Sequence, residues 1–465
     1  MKQKLPSFDV RGKKVLILGL GLHGGGAAAV QWCAKHGAII RVTDLKTKLE
    51  LAPTLKQLKN IKASWHFGGH HADDFHWADI IIQNPAVPDS LPELRLAGRH
   101  GRVIVNEATI FFQRCLAPII AITGTRGKST TTTLIGQLMR TTAGRVFVAG
   151  NIRYTSMLEI LDRVKANDLV VLELSSFQLE RLPDVRISPH VAVLLNIKVD
   201  HLNRYASMPV YAAAKYNLLR YQRPNDFTVL NADSPWTRSA ARLTAGQVVW
   251  FSTQRPVGPW SIFYRRGWIW EKRQRVQHRI IKRRDLPLPG HHQLENLLAA
   301  VAVARINGVS NIKIRQVVRA FRGVPDRQEL IRTWRGHRFI NDTTATTPDG
   351  TLAAVEVFPQ AVFIVGGTDK RLVFGRLAQV LYRRRRPLVF LPGTATIKLL
   401  HALRRCGDHR AHAPVKTMSA AVQQAVAVAK PGQAIVLSPG AASFGLFKHE
   451  FDRGEQFRRA VRRLR

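Results

Sequence analysis

The stretch Thr123-Gly124-Thr125-Arg126-Gly127-Lys128-Ser129-Thr130 lies between an apolar run at 118–122 and a helix-like segment at 131–140. A glycine-rich turn between strand and helix lets backbone N–H groups close on phosphate oxygens, helped by the positive end of the helix. Lys128 would then reach the outer phosphates of a nucleotide, and the Ser129 hydroxyl would coordinate Mg²⁺. Only two residues separate Gly124 from Gly127, where the common phosphate loop has four before its Gly-Lys pair. A Gly/Thr-rich turn of no chemistry would not account for the strand before it and the helix after it. The stretch therefore predicts an α/β, nucleotide-binding enzyme.

The 465 residues, 45% of them apolar, suffice for about three domains with substantial cores. No apolar run is long enough to span a bilayer. The basic N-terminus lacks the apolar centre of a signal peptide, so a cytoplasmic protein is expected. Cys33, Cys115 and Cys406 stand far apart without a CxxC pair, against a disulfide framework or a zinc site. The 71 basic and 31 acidic residues leave a net charge of +40. Arg383-Arg384-Arg385-Arg386 is its densest cluster, but the excess runs the whole length without a nucleic-acid-binding signature. Weak, non-specific attraction of anions is expected, with neither a specific nucleic-acid partner nor a membrane one.

Three α/β domains are expected, at 1–116, 117–324 and 325–465. The first opens with an apolar strand at 14–19, the turn Gly19-Leu20-Gly21-Leu22-His23-Gly24, a helix at 27–35 and a strand at 39–42 running to Asp44. This is a Rossmann-like start, with the acidic residue placed for a ribose or base contact. Further strands are expected at 78–82 and 103–105. In the second domain, strands at 169–172, 191–195 and 227–230 alternate with helical segments such as 209–221 and 294–306, predicting a mainly parallel sheet covered by helices. The Trp- and Arg-rich stretch 248–281 reads as an antiparallel edge, and 321–325 as a hinge. The third domain should be Rossmann-like, with strands at 339–340, 361–365, 388–391 and 434–437.

Glu173 ends one predicted strand of the phosphate-loop domain, and Asp200-His201 follow the next. A carboxylate at a strand end is a natural Mg²⁺ ligand, and a neutral imidazole a competent one. With these residues in hand, the chain closely resembles the Mur ligase family, in its glutamate-adding branch. The resemblance runs over the whole length, through TGTRGKST (123–130), Gly150-Asn151-Ile152, ELSSFQLE (173–180), Asn196 with Asp200-His201-Leu202, and Tyr211 to Lys215. It continues through Gly290 to Asn296, Pro325-Asp326-Arg327, Asn341 to Thr346, Gly366 to Lys370 and Leu437 to Phe444.

The resemblance implies ATP-dependent amide formation between UDP-N-acetylmuramoyl-L-alanine and glutamate, with an acyl phosphate as intermediate; a monomer is expected. D-glutamate is expected. An L-glutamate-adding variant is the alternative, and a folylpolyglutamate-synthase-like ligase a more distant one, since it should lack the first domain. The family's catalytic and metal positions fall on Lys128, Ser129, Glu173, His201 and Lys215, the last carbamylated in the family. Without the resemblance, Lys215 reads as an ordinary helix-surface lysine. ATP contacts fall on Gly124, Thr125, Arg126, Gly127, Lys128, Ser129, Thr130, Asn296, Arg327 and Asp342. The UDP end falls on Gly21, Leu22, His23 and Asp44, the muramoyl-alanine part on Asn151, Ser175 and Gln178, and glutamate on Thr346, Lys370, Ser443 and Phe444. The chain departs from the family pattern at Arg126, Gln293, Asp326, Thr344, Gly440 and Gly445.

Overall fold

The computed structural model describes residues 8–464 except 23, 143, 153–154, 203, 289, 370–371, 386, 411 and 444, and His291 by its backbone only. Two compact units divide the chain: Met1–Pro287 with His291–Phe321, and Leu288–Gly290 with Arg322–Arg465.

The first unit holds two sheets. β1 (Lys14–Leu18), β2 (Ile39–Asp44), β3 (Ser64–Phe67), β4 (Ile80–Gln83) and β5 (Val103–Val105) form an all-parallel sheet in the order β3-β2-β1-β4-β5. Side chains alternate across a strand, so Val15 and Ile17 enter one core while Leu16 and Leu18 enter another with Phe75 and Leu94. A sheet so covered needs apolar residues at consecutive positions, which is why KVLIL is legible as a strand.

The second sheet has nine strands: β6 (Ile119–Thr123), β7 (Val146–Gly150), β8 (Leu169–Glu173), β9 (Val191–Leu194), β10 (Phe227–Asn231), β11 (Gln247–Ser252), β12 (Trp260–Arg265), β13 (Trp268–Arg273) and β14 (Val276–Lys282). Their order is β14-β13-β12-β11-β10-β9-β6-β8-β7. The expected antiparallel edge is confined to β12, β13 and β14. β11 pairs parallel with both β10 and β12, a pairing that composition cannot report. β7 escaped the sequence reading because Val146 to Gly150 alternates and ends in glycine.

The second unit carries β15 (Glu329–Trp334), β16 (His337–Asn341), β17 (Val362–Gly366), β18 (Leu388–Leu391) and β19 (Ile435–Leu437), ordered β15-β16-β19-β17-β18. Only β15 is antiparallel to its neighbour. Phe363 and Val365 face one core, Val362 and Ile364 the other.

Helix ends moved most. The helix after the phosphate loop is Lys128–Met139, three residues earlier than expected, and the helix carrying Lys215 is Met208–Tyr216 rather than 209–221. Apolar periodicity misses a polar first turn such as Lys-Ser-Thr, which is helical because Gly127, at φ 86°, lets the chain enter it.

Candidate active site

In the nine-stranded sheet β6 lies between β8 and β9, so the loops following these three strands meet at one sheet edge. The phosphate loop is fastened to the loop after β9. Thr125 N donates to Asn196 O at 2.9 Å, Arg126 N to Asn196 Oδ1 at 2.9 Å, and Asn196 Nδ2 returns a bond to Arg126 O at 3.1 Å. Thr125 Oγ1 accepts from Lys198 N at 3.0 Å and lies 3.1 Å from the Tyr211 hydroxyl. Lys128 opens its helix and turns its amine onto Gly124 O and Thr125 O at 3.0 and 3.1 Å. A Cβ on Gly127 would stand 2.2 Å from Asn296 Oδ1, so the glycine is required for this close approach. Asn296 is buried and held by Thr131 and Gln293. Gln293, a departure from the family pattern, thus orients the expected adenine contact.

Ser129 is 6% exposed and Glu173, at the end of β8, 1%. Asn151 Nδ2 donates to Glu173 Oε1 at 3.3 Å, bringing two expected site residues together. Among the described residues no group of three His, Cys, Asp or Glu side chains could hold a metal alone. One carboxylate and one hydroxyl beside a phosphate loop suit Mg²⁺ nonetheless, because that ion takes few protein ligands and completes its shell with phosphate oxygens and water.

Lys215 corrects the residue-level reading of a surface lysine, being 1% exposed. Its amine donates to Gly124 O at 3.1 Å and lies 4.8 Å from the Tyr211 ring centroid. Burial, and then the nearby Lys128 charge, hold it well below the usual lysine range, so the neutral amine is favoured. His201 adopts φ 54° and packs on Phe177 with ring centroids 4.9 Å apart. Partial burial, with the side chain still 42% exposed, lowers its pKa against the pull of Asp200 and favours the neutral, ligand-competent imidazole.

Ser175 and Gln178 form a reciprocal capping box, Ser175 N donating to Gln178 Oε1 at 3.0 Å and Gln178 N to Ser175 Oγ at 3.2 Å. They shape the short turn after β8 in addition to any substrate contact. In the five-stranded sheet of the first unit, Asp44 accepts from Gly21 N and Lys46 N, both at 2.9 Å. The acidic residue expected to meet a ribose or base therefore also fixes the glycine turn, with Leu22 part-buried beside it. Arg204 joins the two sheets, donating to Pro85 O and to Glu180 Oε2, both at 2.8 Å.

In the second unit, the loops after β16 and β19 meet because these strands are neighbours. Asp342 accepts from Ser438 Oγ at 2.9 Å and from Gln328 N, beside exposed Arg327, at 3.2 Å. Burial pushes Asp342 up to about 7. Thr346 is part-buried; Ser443 is 3% exposed and its hydroxyl has no hydrogen-bond partner among the described residues. Asp326 is fully buried against Arg458 at 2.8 Å, an anchoring role rather than a ligand contact. His23, Lys370 and Phe444 lie outside the described residues.

Sequence reasoning gave no role to Asn196 or Tyr211. Their signals were modest: an asparagine directly after a strand beside the phosphate loop, and a tyrosine one helical turn before Lys215.

Residues 122–304 match the family model described as Mur ligase middle domain, and residues 13–106 the one described as Mur ligase MurD-like, N-terminal domain. The chain is 41% identical to the UDP-N-acetylmuramoylalanine–D-glutamate ligase of Roseiflexus sp. (strain RS-1), over 98% of this chain and 99% of that one. It is 33% identical to the protein of the same name from Clostridioides difficile (strain 630), over 98% and 100%. Among solved structures, UDP-N-acetylmuramate-alanine ligase MurC from Thermotoga maritima shares the fold at TM-score 0.61 and 20% identity, over 97% of this chain and 99% of that one. MurF ligase from Thermotoga maritima, in complex with ADP, does so at 0.55 and 17%, over 99% of each.

Proposed function

The chain belongs to the Mur ligase family, and we propose that it joins D-glutamate to UDP-N-acetylmuramoyl-L-alanine at the expense of ATP. A carboxylate is a poor acyl donor. Transfer of the γ-phosphoryl group to the alanine carboxylate gives an acyl phosphate, which the glutamate amine attacks, releasing phosphate and leaving ADP. The step is cytoplasmic, where ATP and nucleotide-linked precursors are made.

The reading rests above all on Lys128 and the buried Lys215 both bonding Gly124 O, next to the strand that ends in Glu173. Lys128 and the N–H groups at the start of its helix would neutralise the transferred phosphoryl group. Ser129 and Glu173 would hold Mg²⁺, whose charge, when bound, would offset that of the phosphates. A lysine kept neutral by burial is a nucleophile toward carbon dioxide. Its carbamate, formed with loss of one proton, would add an anionic oxygen beside His201 to hold a second ion. We assign the UDP end to Gly21, Leu22 and Asp44, and the muramoyl-alanine part to Asn151, Ser175 and Gln178. Asn296, Arg327 and Asp342 are kept as proposed nucleotide contacts. The Ser443 hydroxyl, without a hydrogen-bond partner among the described residues, and Thr346 suit a glutamate carboxylate.

ADP release measured with UDP-N-acetylmuramoyl-L-alanine and each glutamate enantiomer tests this. Release should depend on the muramoyl substrate and on D-glutamate. Equal or greater turnover with L-glutamate would transfer the assignment to the L-adding variant.

A further inference from the structure

The chemistry above makes no use of the ribbon β12–β14. Register places Arg265 opposite Trp268, Phe263 opposite Trp270 and Ser261 opposite Lys272, then Lys282 opposite Trp268 and Arg279 opposite Trp270. Residues directly opposite share a face, so Arg265, Trp268, Trp270, Lys272, Arg279 and Lys282 lie on one side, all exposed or part-buried. The ribbon's carboxylate, Glu271, points the other way, to His278 at 3.0 Å and Arg305 at 2.8 Å.

The cations lie over the indoles. The Arg265 guanidinium carbon is 4.5 Å from the Trp270 centroid, Arg279 is 5.0 and 5.2 Å from Trp270 and Trp268, and the Lys282 amine is 4.9 Å from Trp268. Phe263 stacks on Trp270 with centroids 6.4 Å apart. Guanidiniums held in this way keep N–H edges for phosphate, whereas the indole faces are taken and cannot stack bases.

We propose that this face docks on the anionic phospholipid headgroups of a membrane surface. Four cations on a carboxylate-free face complement a layer of phosphates, and amphipathic indole rings favour headgroup depth. These strands are also built into a nine-stranded sheet, not a free two-stranded ribbon of the kind that a major groove admits.

Sedimentation of the full chain with phosphatidylglycerol-containing vesicles, against vesicles of phosphatidylcholine alone, tests the proposal. Because the whole chain is basic, R265E/R279E is compared with R404E/R405E, an equal charge change at exposed positions of the helix Thr394–Arg405. The ribbon variant should bind at least about tenfold more weakly than the parent, and the control should bind like the parent. ADP release monitors the fold of each variant, and R265Q/R279Q, a milder change, should weaken binding in the same direction. Equal losses in ribbon and control variants would overturn the proposal, as would tighter binding of duplex DNA than of vesicles through the same arginines.

Discussion

A lysine amine 1% exposed and bonded to Gly124 O is a costly thing to bury unless it is neutral or chemically altered. Lys215→Ala should therefore lose most ADP release and recover part of it when short-chain carboxylates supply the missing anionic oxygen. Full activity without added acid would remove the carbamate from the account. Lys128→Ala should lower ADP release by roughly 10³-fold with an unchanged circular dichroism spectrum, since this cation would neutralise the transferred phosphoryl group. Asp342 gives a third test, by thermodynamics alone. Its folded pKa of about 7 stands above an ordinary 3.8, so between these values the folded protein binds more protons than the unfolded one. Stability therefore falls as pH rises through that window. Asp342→Asn lacks this penalty, and its thermal midpoint should gain on the parent's from pH 4 to pH 7. A difference that does not change with pH would contradict the burial argument.

At the scale of elements, the site is a property of strand order. β6 between β8 and β9 brings three loops to one edge, and Gly127 lets the helix Lys128–Met139 start against Asn296. A Cβ there would meet Asn296 Oδ1 at 2.2 Å, in a backbone conformation of φ 86°. Gly127→Ala should accordingly weaken ADP binding at least about tenfold in calorimetry while the protein stays folded; unchanged affinity would show that the loop tolerates displacement. This part of the site was legible in the sequence, because a glycine-rich turn between an apolar strand and a helix has few other uses. The ends of helices were less legible, since a polar first turn carries no apolar period. The burial of Lys215 was not legible from Tyr-Ala-Ala-Ala-Lys, where only Tyr211 hinted at a covered face. Nor was the second duty of Ser175, Gln178 and Asp44 as caps of their own turns, which depends on bonds a residue list does not contain.

For the whole molecule, the charge of +40 implies self-repulsion in the compact state. The thermal midpoint should rise as salt is added from low ionic strength, and a flat response would mean that the charges are already paired locally. The fold class followed from alternating strands and helices, whereas the assignment of chemistry needed ordered motifs spread along the full chain. The central claim is that ATP activates the alanine carboxylate as an acyl phosphate. Its most direct test uses UDP-N-acetylmuramoyl-L-alanine labelled with heavy oxygen in that carboxylate, with ATP and D-glutamate, and mass analysis of the released phosphate. The account predicts one labelled oxygen in each phosphate formed, carried over when the amine displaces it. Unlabelled phosphate alongside normal amide product would contradict it.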